Sequence, residues 1–123
     1  MADYYSKTDG HIKIFKFVRS TDAAVEAWAA DLDAYLSQHP PGDPFYILLD
    51  VSGDNVGFTT AARQNSKHLF DKYRDRDGYI AMLFSGRTSP YFARLFFASL
   101  GKLNVKLDYF AHPQKARAWL HLR

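Results

Sequence analysis

Two short runs with almost no polar residues, Phe45-Tyr-Ile-Leu-Leu-Asp-Val51 and Tyr79-Ile-Ala-Met-Leu-Phe84, constrain this chain more than any other feature. A strand with one face in water alternates apolar and polar residues. A run without that alternation has both faces covered, the condition of an interior strand in a mainly parallel sheet. Between the two runs, Thr59 or Thr60 can cap a helix that carries Ala62, Leu69, Phe70 and Tyr73 on its inner side, and Asp77-Gly78 ends it. Strand, helix and strand in that order require a crossover, so the chain is expected to be an α/β domain with helices over its sheet.

The remaining segments extend the pattern in both directions. Asp9-Gly10 is a hairpin signal between Asp3-Tyr-Tyr-Ser-Lys7 and His11-Ile-Lys-Ile-Phe-Lys-Phe-Val18, which predicts two antiparallel strands at the start. Phe15 and Phe17 fall on the opposite parity from Ile12 and Ile14, so the second strand is expected inside the sheet. Ser20, Thr21 or Asp22 can cap a helix whose apolar positions are Val25, Trp28, Ala29, Leu32, Tyr35 and Leu36, and His39-Pro-Pro-Gly-Asp-Pro44 stops it. Ser85-Gly-Arg-Thr-Ser-Pro90 leads into a third helix with Ser89 as cap and Pro90 at its first position. Val105-Lys-Leu-Asp-Tyr-Phe110 reads as the last strand, and His112-Pro113 opens a closing helix with Ala116, Trp119 and Leu120 inward. The expectation is one domain over residues 1–123, with a mixed, mainly parallel sheet of about five strands, an antiparallel amino-terminal hairpin and about four helices. There is no internal repeat and no low-complexity segment.

Composition narrows the function classes. A chain of 123 residues buries about two-thirds of its unfolded surface without a staple. It holds no Cys, which excludes disulfides, thiolate metal sites, iron–sulfur clusters and a cysteine nucleophile, and fits a reducing cytoplasm. No apolar stretch approaches the roughly 20 residues of a membrane span, and the start Met1-Ala2-Asp3 is acidic rather than signal-like, so a cytoplasmic protein is expected. The five His residues, at 11, 39, 68, 112 and 121, show no ligand-pair spacing, and no metal or cofactor is expected. Residues 1–62 balance to −5 and residues 63–123 to +8, within a net +3. The basic cluster Lys67, Lys72, Arg74 and Arg76 is interleaved with Asp71, Asp75 and Asp77, the pattern of a solvated helix end, so nucleic acid is not the expected partner. Asp50 is the only strand-end carboxylate flanked by apolar residues. With no base or nucleophile predicted beside it, it is expected to bond loop amides, and the chain is not expected to be an enzyme.

Ile47-Leu-Leu-Asp-Val-Ser-Gly53 followed by Thr59-Thr60-Ala61-Ala62 resembles the STAS domain of anti-sigma-factor antagonists and sulfate transporters. The resemblance is closer to its uncharacterised bacterial STAS-like (SpoIIAA-like) relatives, which are grouped by fold with the CRAL-TRIO lipid carriers. In that family a buried strand ends in an Asp-Leu-Ser-Gly turn and Asp-Ser-Ser-Gly opens the next helix. Asp50-Val51-Ser52-Gly53 matches the turn, and Phe58-Thr59-Thr60-Ala61 falls on the helix start, with Phe58 in place of Asp and Ala61 in place of Gly. The resemblance implies a non-enzymatic regulatory module that binds a protein partner, such as a kinase-like regulator, through Asp50, Ser52, Thr59 and Thr60. It places the phosphorylated hydroxyl on Thr60.

Each candidate site has a second reading. Phosphate on Thr59 or Thr60 would meet the free N–H groups and positive dipole end of a helix, yet either hydroxyl can simply cap it. Ser85, Gly86, Arg87, Thr88 and Ser89 follow a strand's carboxyl end, where ligands of open α/β sheets gather and an anion can bind. Turn and cap duty explains the same five residues. In the third helix Phe92, Leu95 and Phe96 can face the sheet, leaving Tyr91 and Phe97 either tucked against neighbours or exposed as an interface, for which a homodimer is the expected form. The aromatic excess of 10 Phe, 8 Tyr and 2 Trp, together with the lipid-carrier grouping, raises the alternative of a carrier or sensor of a small apolar or amphipathic ligand. That role needs an aromatic pocket of several hundred Å³.

Overall fold

The apolar runs are central strands. The computed structural model describes residues 3–53, 56–57, 59–85, 94, 97–98 and 104–122. One sheet contains β1 (Tyr4–Asp9), β2 (Ile12–Phe17), β3 (Phe45–Asp50), β4 (Gly78–Leu83) and β5 (Val105–Phe110), in the spatial order of the sequence. β1 runs antiparallel to β2, and β2 to β5 are mutually parallel. Among the described residues there are three helices, α1 (Asp22–Gln38), α2 (Thr60–Lys72) and α3 (Pro113–His121). The helix expected after Pro90 lies outside the described residues except for Arg94, Phe97 and Ala98, which are helical.

Local chemistry sets the element ends. β1 continues two residues beyond the expected strand, pairing Asp9 with Ile12, and only Gly10 and His11 form the turn. Gly10 takes φ +61°, the left-handed conformation this two-residue turn needs at its first central position. Of the three candidate caps for α1, Thr21 does the work: its Oγ1 accepts the Ala24 N–H at 3.1 Å. His112 stands at the start of α3 without a side-chain capping bond, and Pro113 sets the first turn there. Gly78 pairs with Phe45 across β3 and β4, and a Cβ on it would fall 2.4 Å from the Phe45 ring. The ring therefore occupies the space a side chain would take.

Strand parity divides the core in two. Phe15 and Phe17 of β2, Ile47 and Leu49 of β3, and Ile80 and Met82 of β4 face α1 and α2 in one large cluster. Ile12, Ile14, Leu48, Ala81 and Leu83 point the other way and cluster with Ala116 and Leu120 of α3. The inequality follows from topology. Successive parallel strands are added in one direction, and right-handed crossovers then place every connecting helix on the same face. Only a terminal helix remains to cover the second face. The monotonic order also contains no reversal, and so none of the switch-point crevice that α/β ligand sites use.

Candidate functional site

The match to the family turn lies at the carboxyl end of β3. Asp50 is buried, and its Oδ1 accepts both the backbone N–H of Ser52 at 2.9 Å and the Ser52 hydroxyl at 2.6 Å. Its Oδ2 lies 3.9 Å from Lys16 Nζ on the neighbouring strand. A carboxylate bonded to the amide two residues on stabilises a turn, so Asp50 and Ser52 together bend the chain out of the sheet. The carboxylate is engaged in structure. Gly53 then passes close to β2: a Cβ there would sit 3.2 Å from the carbonyl oxygens of both Phe17 and Val18. Gly57 N donates to Ser20 Oγ at 2.9 Å, which ties the loop to the start of α1.

The two threonines at α2 divide their duties. Thr59 is the N-cap, and its Oγ1 accepts the Ala62 N–H at 3.1 Å. Thr60 is the first helical residue and is exposed. The cap therefore occupies one hydroxyl and presents the other at the positive end of the helix dipole. Phe58 lies outside the described residues, and so do Gly86, Arg87, Thr88, Ser89 and Tyr91. Ser85 is described: it follows β4, one strand over from Asp50, whose pairing partner is Leu83.

Phe97 corrects an expectation. It is 7% exposed and belongs to the large core, with its ring 6.3 Å from that of Phe70 on α2. Its ring is thus covered by α2 of the same chain, so Phe97 is not available as a dimer contact. The aromatic pocket of several hundred Å³ that the alternative carrier role needs is not found among the described residues. Phe15, Phe17, Trp28, Phe70 and Phe97 do line an apolar cavity, but its volume is about 50 Å³. That is well below the few hundred Å³ of an ordinary small-molecule site. A larger depression of about 350 Å³ lies at the opposite, amino-terminal end of the strands, lined by Pro44, Asp77, Gly78, Tyr79, Asn104 and Lys106.

The basic cluster is engaged locally. Lys67 and Arg74 both bond Asp71, and Arg76 Nη1 donates to the His39 carbonyl at 2.8 Å. Lys72 Nζ lies 2.9 Å from Asp33 Oδ1 on α1, and the Tyr73 hydroxyl donates to the same carboxylate. Those bonds, first Tyr73 and then Lys72, hold Asp33 below the usual carboxylate range, and the Asp33 bond raises Lys72. No group of three or more metal-ligating side chains occurs among the described residues, and no helix there is long and apolar enough to cross a membrane.

No protein-family model matches the chain, and no curated protein matches it. Among solved structures it is similar to an uncharacterized protein of the DUF3478 family with a SpoIIAA-like fold from Shewanella loihica PV-4. The TM-score is 0.66 at 17% identity, over 95% of this chain and 91% of that one. The domain thus has the SpoIIAA-like, STAS-like α/β fold. Sequence reasoning anticipated that fold and a threonine cap at the start of α2. It missed the buried Ser66 of α2, whose place on the helix, four residues after Ala62 and four before Phe70, is the inner-face spacing that reveals it.

Proposed function

We propose that this chain is a non-enzymatic, cytoplasmic protein-interaction module whose docking surface is the Ser52–Thr60 loop with the exposed side of α2, and whose state is set by phosphate on Thr60. One observation carries this reading: Thr59 is held as the cap while Thr60 stands exposed beside it at the first position of α2, after a loop anchored by Asp50 and Gly53. A phosphate at the first helical position lies against unsatisfied N–H groups and the dipole's positive end, so it is accepted without unfolding the helix. It also places about two negative charges in the middle of the docking surface, which changes partner choice directly. The SpoIIAA-like fold is consistent with such a module.

The test is capture from the native cytoplasm with wild type, Thr60→Glu and Thr59→Ala immobilised side by side. The expected result is a partner retained by wild type and by Thr59→Ala and lost or exchanged by Thr60→Glu. An identical set of captured proteins on all three surfaces would sink the reading.

A further inference from the structure

The cavity between α1, α2 and the sheet is too small for a lipid, yet it has the features of a site. Among the described residues 17 line it; none of these carries a charge, and 13 are buried. Those that are not buried, Ser20, Val56, Gly57 and Ala62, all lie at the carboxyl end of the sheet, so the cavity opens there. The Gly57-to-Ser20 hydrogen bond spans that rim. One wall is Trp28, which is only 6% exposed and whose Nε1–H is buried without a hydrogen-bond partner among the described residues. A buried donor left unmade is costly, and buried polar groups of native proteins are almost always satisfied.

We propose that this chamber binds a small uncharged molecule with an apolar body and a single acceptor oxygen, a short ketone, aldehyde or alcohol, with the oxygen accepting the Trp28 N–H. The apolar walls take the body of the ligand, and the indole supplies the orienting polar contact. With no cation among the described lining residues, a carboxylate is not the ligand proposed, because a bare anion in such surroundings would lose its hydration without compensation. Size limits the ligand too: a cavity of about 150 Å³ takes a six-atom benzene ring and a water needs about 10–15 Å³, so about 50 Å³ takes only about two to four non-hydrogen atoms. The inference stands apart from the Thr60 reading, since it concerns the interior of the domain rather than its docking surface.

Acetone, isobutene and acetate share one shape and differ in this chemistry, so they serve as probes. In proton–nitrogen NMR spectra of the intact protein, acetone is expected to move the Trp28 indole N–H downfield along a saturating curve in the millimolar range. The Met82 methyl, on another wall of the cavity, should move with the same midpoint. Trp119, which packs against the cluster on the other face of the sheet, is the internal control and should not saturate. Isobutene should move Met82 without the downfield shift at Trp28, and acetate should move neither. Ser66→Leu and Ala62→Leu, which fill the chamber from two positions, should each abolish saturation in a protein whose remaining spectrum is native. A linear response, an equal response at Trp119, saturation by acetate as strong as by acetone, or saturation that survives both filled variants would overturn the proposal.

Discussion

On one face of the sheet, α3 brings Ala116 and Leu120 to Ile12, Ile14, Leu48, Ala81 and Leu83 in a small cluster where Ile12, Ala81, Ala116 and Leu120 are wholly buried. On the other, α1 and α2 stand over Phe15, Phe17, Trp28, Phe70, Phe97 and other large side chains, and that cluster keeps an apolar cavity and an indole N–H without a partner among the described residues. Small residues let a helix approach closely and leave little to rearrange. Large rings meeting from several elements leave gaps, whose lining forfeits packing contacts. The anchored loop and both threonines belong to the elements of the looser face. Support and adaptability are thus separated across the thickness of one sheet.

The comparison can be broken by mutation. The largest effect is expected on the close face: Leu120→Ala should lower unfolding stability by about 2–5 kcal/mol in urea titration. A loss below about 1 kcal/mol would mean that α3 merely rests on the sheet. Enlargement should then separate the two faces by sign. Ala81→Leu is expected to cost about 1–3 kcal/mol by overpacking, whereas Ser66→Leu, at a wall of the cavity, should be neutral or stabilising by up to about 1 kcal/mol. Equal losses at both positions would remove the distinction.

The two threonines should separate in the same way, more gently. Thr59→Ala is expected to cost about 1 kcal/mol because α2 loses its cap, and Thr60→Ala less than about 0.5 kcal/mol. The smallest effect is the pH dependence of the tie between α1 and α2. Asp33 is held low by Tyr73 and then Lys72, so its contribution is present above the ordinary carboxylate pKa and lost as pH falls through its lowered value. Tyr73 is raised by burial and then by its bond to Asp33, so its contribution is lost as pH rises through that raised value. Asp33→Asn should therefore flatten part of the stability loss below about pH 4, measured by urea midpoints across the acid range. An unchanged acid limb would show that the tie carries no stability.

Much of the fold was legible because the features that create it are local. Burial on both faces of β3 and β4 erases alternation, and Thr21 and Pro113 mark helix starts by the chemistry of their own first turns. The site was half legible. Either threonine can cap, and only the position of the Ala62 N–H decides for Thr59. Phe97 was not legible, because periodicity shows that a helix has a second apolar side but not whether another helix of the same chain or a second molecule covers it. Ser66 hides for a related reason: a small hydroxyl on an inner face breaks the apolar stripe without leaving the core. The cavity volume belongs to no single element and depends on how rings from both helices and the sheet meet.

The division of labour between neighbouring hydroxyls is the central claim, and site-resolved phosphate mapping on the protein isolated from its native cells tests it most directly. The account predicts phosphate on Thr60 and none on Thr59, whose Oγ1 is engaged by the Ala62 amide. Phosphate on Thr59, or on neither residue under every growth condition sampled, would contradict it.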